Sequence, residues 1–265
     1  MSSLLPPQAA TVLFDNGHHK CISFTSLVKG DGVQANQFLI IHGDHAAVLD
    51  PGGDLTYTPL TIEISKHIKL QNLDYVFASH QDPDIITSMP RWLMHTRCTV
   101  VASKLWARFL PHLASGFITT QMKSDVTERL IELPDQGADV PFGDTVIKCV
   151  PAHFLHSVGN FQFYDPTSKI LFSGDMGASL VDAVRPVEDF ETHISSMRGF
   201  HQRYMCSRRV TRLWAEMVRR MDVEMLVPQH GCYFVGKPMI HKFLDWISDL
   251  DCGIDLLGQE NYRCP

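Results

Sequence analysis

Four short apolar runs in this chain end on or just before a histidine or an aspartate. DYVFASH ends on His80 and is followed by Asp82 and Asp84, TVIKCVPAH runs on to His156, KILFSGD ends on Asp175, and EMLVPQHG carries His230. Each run is too short for an ordinary helix and rich enough in Val, Ile, Leu and Phe to be a buried strand. Loops at strand ends place functional groups on a rigid scaffold. Taken singly, a strand-end Asp is more often a turn former or helix cap, and a lone His is usually a hydrogen-bonded core or surface residue. Asp84, for example, could cap the helix after it. Six such residues, three imidazoles and three carboxylates in the same position after their strands, point instead to a joint metal site. In an extended loop alternate residues face the same way, so His80, Asp82 and Asp84 can present three ligands to one place, with Pro83 stiffening the turn. His156, Asp175 and His230 join them only if their strands lie side by side.

The rest of the chain supplies the strands and helices for such a scaffold. QFLIIHGDHAAVLDPGG, from Gln37, reads as two strands joined by a Gly-Asp turn and closed by Pro51, Gly52 and Gly53. Helical spacing is predicted over residues 58–69, 85–95 and 104–113, with strands at 74–80 and 98–103 between them. The second part reads LIELP, then strands at 145–153, 159–165 and 169–175, amphipathic helices at 189–204 and 208–221, a strand at 224–231 and a last helix at 238–250. No low-complexity linker interrupts this, so residues 1–265 are expected to form one domain built of two similar halves. Strands then helices, twice over, predict an α/β (α+β) architecture: two mixed β-sheets packed face to face with helices outside.

Composition excludes several other classes. A chain of 265 residues buries about three quarters of the surface its unfolded form exposes and needs no disulfides for a core. Seven cysteines, odd in number and without a C-x-x-C pair, fit neither a disulfide framework nor a structural Cys-zinc site. A net charge of −6 argues against nucleic acid as the main partner. The one basic stretch, with Arg198, Arg203, Arg208, Arg209 and Arg212, reads first as a solvated helix face. No apolar run approaches the roughly 20 residues of a membrane span, and the N-terminus lacks a signal-peptide pattern, so a cytoplasmic location is expected. The one unusual count is fourteen histidines.

The motifs S-H-Q-D-P-D-I, H-S-V-G-N, F-S-G-D and P-Q-H-G, in that order, resemble those of the metallo-β-lactamase superfamily, H-x-[HED]-x-D-H, H-x-x-G-[HSN], G-D and a late His. The chain is most similar to the diiron branch: flavodiiron proteins and, above all, stand-alone oxygen-binding diiron proteins. The resemblance runs from Asn36 to about Leu250 and implies an αβ/βα sandwich with a two-metal site at one edge. It places His80, Asp82 and His156 on one metal, Asp84 and His230 on the other, and Asp175 as the bridge. His153 competes for the His156 position, but only His156 begins H-S-V-G-N; His153 is assigned to packing or to support of the ligands. Asp50, in VLDPGG, is expected to hold a ligand by a hydrogen bond rather than to bind metal.

Two departures bear on the chemistry. Ile85 stands where the family often has a further His, leaving the second metal with open positions, and Asp82 stands where zinc hydrolases have His. Three carboxylates with three imidazoles form a hard set that favours iron, with manganese or zinc as alternatives.

The resemblance implies a pair of non-haem irons that binds O2 or another small diatomic ligand. In flavodiiron proteins a following flavin domain supplies electrons; this chain stops at Pro265 without a Gly-rich phosphate loop, so no flavodoxin domain and no bound FMN are expected. That favours holding or sensing O2, with a protein partner to receive a signal or exchange electrons. The alternatives are an O2 or NO reductase fed by an external donor, and a metal-dependent hydrolase of an ester, lactone or phosphodiester. A homodimer is compatible with the sequence, although the usual reason for one, bringing flavin to iron, is absent. Met89, Phe154, Phe200, Tyr204 and Met205 lie near the ligand loops or on covering helices, where core packing is the commoner role.

Overall fold

The computed structural model describes residues 10–30, 32–114, 120, 125–181 and 183–264. Thirteen strands are assigned among them. In the first sheet, β1 (Ala10–Asp15), β2 (His19–Phe24), β3 (Gln37–His42), β4 (His45–Leu49), β5 (Leu73–Phe77), β6 (Thr99–Ser103) and β7 (Leu130–Leu133) lie side by side in chain order. The pairings are antiparallel from β1 to β4 and parallel from β4 to β7. The second sheet contains β8 (Ala138–Phe142), β9 (Thr145–Pro151), β10 (Phe161–Asp165), β11 (Ile170–Phe172), β12 (Met225–Val227) and β13 (Phe234–Val235), in the reverse of that order. Only β11 and β12 pair in parallel there.

The central strands of both sheets, such as β3, β10 and β11, are buried on both faces, which is why they read as nearly continuous apolar runs. Alternation still sorts each strand. In β3, Phe38 and Ile40 point to the facing sheet, while Leu39 points to the helices outside. Between the sheets Phe38 meets Phe172 at 4.8 Å and Phe77 meets Phe163 at 5.1 Å, ring centre to ring centre. Helices α1 (Asp54–Ile64), α2 (Pro83–Ile86), α3 (Met89–His95) and α4 (Lys104–Ala107) belong to the first half. Leu60, Ile64, Met89 and Trp92 cover the outer face of its sheet. Helices α5 (Phe190–Tyr204), α6 (Arg208–Val218) and α7 (Lys237–Asp249) cover the second sheet with Met197, Trp214, Phe243 and Leu244. The result is the expected four-layer αβ/βα sandwich.

Several local boundaries differ from the sequence reading. α1 begins at Asp54 rather than 58 because Thr56, Tyr57, Leu60 and Ile64 make one buried face, which carries Pro59 inside the helix. The helix expected over 85–95 is two, since Ser88 gives both its N–H and its hydroxyl to the Gly52 carbonyl and Pro90 opens the second piece. The stretch 104–113 divides likewise, into α4 and a 3-10 turn at Leu110–Leu113 that contains Pro111. Strands β1, β2, β8 and β13 were not among the elements read in the sequence. The arginine-rich stretch divides between α5, with Arg198 and Arg203, and α6, where Arg208 pairs with Asp251 and Arg212 with Asp249. No helix among the described residues is long and apolar enough to cross a membrane.

Candidate metal centre

Parallel pairing puts the C-terminal ends of β4 and β5 at one edge of the first sheet, and those of β11 and β12 at the same edge of the second. Backbone hydrogen bonds join the loops there. Phe161 N–H donates to the Ser79 carbonyl (2.9 Å), Gln229 N–H to Gly174 (2.8 Å) and Asn36 N–H to Gln229 (2.5 Å). Into this edge come His80 from the loop after β5, Asp82 and Asp84 at the start of α2, His156 from the β9–β10 loop, Asp175 after β11 and His230 after β12. The six residues predicted to act together are brought together.

Asp175 lies at the centre and is buried. Its Oδ2 is 2.7 Å from His156 Nε2 and 3.7 Å from His80 Nε2, while its Oδ1 is 3.4 Å from His230 Nε2. Asp82 Oδ2 lies 3.3 Å from His156 Nε2 and 3.6 Å from His80 Nε2; Asp84 Oδ2 lies 3.7 Å from His230 Nε2. One carboxylate oxygen therefore faces a His80–Asp82–His156 set and the other a His230–Asp84 set. The charges reinforce one another. Burial alone would lower the His156 imidazole, but hydrogen bonds to Asp175 and Asp82 outweigh it and push it up to about 10. His80 is raised in the same way by Asp82 and Asp175 against burial. Asp82 is held well below the usual carboxylate range by His156 and His80, and Asp175 is lowered by its three imidazole neighbours in spite of complete burial.

The supporting residues fix where these side chains point. Ser79 Oγ lies 2.9 Å from His80 Nδ1 and accepts from Gln229 Nε2 (2.9 Å), while Ser79 N–H donates to Asp50 Oδ1 (2.8 Å). Asp50 thus takes the hydrogen-bonding position expected of it, and burial pushes its carboxyl up to about 6 against the Ser79 N–H and the His80 charge. Gln81 donates from Nε2 to Asp82 Oδ1 (3.2 Å) and accepts from Ser157 Oγ (2.5 Å), tying the first motif to the second. His230 Nδ1 donates to the Gln34 carbonyl (2.7 Å). His201 Nε2 accepts from Gly177 N–H (3.0 Å), and its Nδ1 donates to the Met197 carbonyl (2.9 Å), so α5 holds the loop that carries Asp175. Gly231 closes the opposite side: at φ +79°, a Cβ there would stand 2.2 Å from Ser179 Oγ. Ser79, Gln81, Ser157, Gln229 and His201 were not singled out from the sequence. The first four lie next to or within the motifs, whereas His201 carried no signal of its own.

His153 lies outside the cluster, with Nε2 donating to the Asp135 carbonyl at 2.8 Å. Of the five residues expected near the site, Met89 and Met205 are fully buried in the helix-side cores. Tyr204 packs edge-on against His156 at 5.5 Å, and Phe200 stacks on Tyr204 at 4.7 Å and lies 6.3 Å from His230. Phe154 is partly exposed.

His80, His156 and Asp175 form a group that can hold a cation. Asp175 Oδ1 is buried without a hydrogen-bond partner, a costly state for an ionised oxygen. A cation between it, His230 and Asp84 supplies the missing partner, and three imidazoles with three carboxylates suit iron or manganese.

Two mixed sheets face to face, with helices outside and a His/Asp centre at one edge, define a metallo-β-lactamase-fold protein of the two-metal kind. Residues 33–231 match the family described as ODP family beta lactamase, and the chain belongs to that family. Among solved structures it is similar to the chemotaxis sensor ODP as its peroxy diiron species, with 36% identity and a TM-score of 0.83, covering 97% of this chain and 100% of that one. It is also similar to the apo state of chemotaxis sensor ODP from T. denticola, with 37% identity and a TM-score of 0.81, covering 96% and 99% of the two chains. An uncharacterized protein of Methanocaldococcus jannaschii is 22% identical over 204 residues, 75% of this chain, which spans about half (49%) of that relative's length.

Proposed function

We propose that this chain is a non-haem diiron protein that binds O2. His80, Asp82 and His156 hold one iron, Asp84 and His230 the other, and Asp175 bridges them. The observation that carries this reading is the division of the Asp175 carboxylate, Oδ2 toward His80 and His156 and Oδ1 toward His230. Likeness over the whole length of a sensor solved as a peroxy diiron species supports iron over zinc or manganese, and O2 as the ligand.

When bound, two ferrous ions supply the electrons with which O2 is held. The protein's own residues prepare the place. Hydrogen bonds on the far nitrogens of His80 and His230 aim each Nε2 inward, and the Gln34 carbonyl fixes the His230 tautomer. Gln81 occupies the outer oxygen of Asp82, leaving Oδ2 for the centre. Ile85, fully buried where a further imidazole would add a ligand, leaves the Asp84 side with fewer protein donors. Tyr204 packs against the imidazole of His156, and Phe200 lies near that of His230. A sensing role, with O2 occupancy passed to a protein partner, follows from the same likeness.

The test is to load the chain with ferrous iron anaerobically and admit O2. A new visible absorption with a slow return to a resting spectrum is expected. An unchanged spectrum, or stoichiometric zinc after expression in iron-replete medium, overturns the reading, the latter in favour of a hydrolase.

A further inference from the structure

The histidine surplus has a second focus, at the opposite end of the sandwich. β3 runs from Gln37, beside the metal centre, to His42, and β10 runs from Phe161 to Asp165, so these far ends lie about 14–17 Å from the near ones. His18 and Asp144, in the β1–β2 and β8–β9 turns, gather there with the strand-end residues His19 of β2, His42 of β3 and Asp165 of β10. His42 Nε2 contacts Asp144 Oδ1, His42 Nδ1 lies 2.9 Å from His19 Nδ1, and His19 Nε2 lies 2.7 Å from Asp165 Oδ2. The His18 ring packs edge-on against His42 at 4.6 Å. Gly43, at φ +56°, allows that approach, because a Cβ there would stand 3.0 Å from His18 Cε1.

This line of contacts has a proton count that two neutral imidazoles cannot meet. The His19–Asp165 contact needs one ring proton, the His19–His42 contact needs one, and the His42–Asp144 contact needs a third; two neutral rings carry two. A cation on His42 Nε2, whether a proton or a metal ion, meets the count. His42 then donates from Nδ1 to His19, His19 donates from Nε2 to Asp165, and Asp144 binds the cation directly. That is the arrangement in which a ligating imidazole is oriented through its other nitrogen by a chain ending on a carboxylate.

We propose that His18, His42 and Asp144 form a second metal site, for a divalent transition-metal ion of the zinc type, at the end of the sandwich remote from the first. Their ligand atoms lie within 4.8 Å of one another, and adjustment to the roughly 3.3 Å spacing of a tetrahedral zinc site, with Asp144 moving away from His42 and His18 moving in, involves exposed side chains. The fourth position is open to water. The buried group His19, Cys21 and Asp165 anchors the site rather than binding metal. Asp165 is engaged by His19, Ser168, the Thr167 N–H and the Cys21 thiol. Burial pushes that thiol well up.

The test is a zinc count on the full chain, made metal-free, saturated with zinc chloride and separated from free metal, for the unaltered protein, His18→Ala and Asp144→Asn. Both substituted side chains are exposed, so the fold, checked by circular dichroism, is retained. The unaltered protein is expected to hold one more zinc than either variant, with affinity for that ion at least about tenfold weaker in the variants. Equal counts and equal affinities in all three overturn the proposal. The difference does not depend on which metal the Asp175 centre takes, because both variants leave that centre intact.

Discussion

His156 Nε2 and Asp175 Oδ2 stand 2.7 Å apart at the middle of the centre, one from the second sheet's β9–β10 loop and the other from the turn after β11. The pair holds a proton at neutral pH, since Asp175 and Asp82 push His156 up to about 10 against the effect of burial. A metal must displace that proton. Metal uptake at pH 7 should therefore release at least one proton per chain, and affinity should rise with pH from 6 to 9. Calorimetric titration in buffers of different ionisation enthalpy measures the number; zero release contradicts the assignment of His156 as a ligand.

Asp175→Asn keeps the side chain's shape but removes its charge and one of its two oxygens. With the bridge lost, bound iron should fall from about two per chain to one or fewer while circular dichroism stays unchanged. Undiminished binding of two ions would show that Asp175 is not the bridge.

Ser79→Ala removes the hydroxyl that joins His80 to Gln229 and lies against Asp50. Without a partner on Nδ1 the His80 ring is free to turn, and metal affinity should drop about 10–100-fold. Asp50→Asn should act in the same direction. Competition with a chelator reads both, and an affinity equal to that of the unaltered chain removes Ser79 from any role in the site.

His201 gives a pH dependence of folding that is separate from metal binding. Complete burial pulls its imidazole down to about 4, with the Met197 carbonyl and the Asp175 charge opposing too weakly. The folded state keeps the ring neutral, while the unfolded chain protonates it near its ordinary 6.5. Stability from this residue is thus complete above about pH 6.5 and is lost as pH falls toward 4, a change on the order of 3 kcal/mol. Denaturant midpoints between pH 7 and 4 should fall more steeply for the metal-free chain than for His201→Gln. Parallel curves would exclude the effect.

Gly231→Ala forces a Cβ into Ser179 at a backbone angle that L-residues resist. A loss of about 1–3 kcal/mol is expected, together with weaker binding on the Asp84–His230 side, because the displaced residue adjoins His230. Thermal unfolding with and without iron separates the two effects.

Much of this was legible in the chain. Strands such as DYVFA and KILF announce themselves by apolar runs that only a sheet buried on both faces needs. The Asn16-Gly17 turn between β1 and β2 is an ordinary hairpin signal that the sequence reading passed over. The division at Ser88 had one local signal, Pro90, while the Gly52 carbonyl that holds Ser88 lies thirty-six residues away.

By itself, the sequence determined the layered class of fold and pointed to six residues that the structure brings to one edge, because apolar periodicity and strand-end chemistry are local properties of the chain. Tertiary structure alone decided which oxygen of Asp175 faces which imidazole, that His201 secures its loop, and that His153 stands outside. It also decided that His18, His42 and Asp144, 102 residues apart at their widest separation from His42, meet at the far end. Those are questions of distance and direction between segments, and only the packing of the two sheets fixes them.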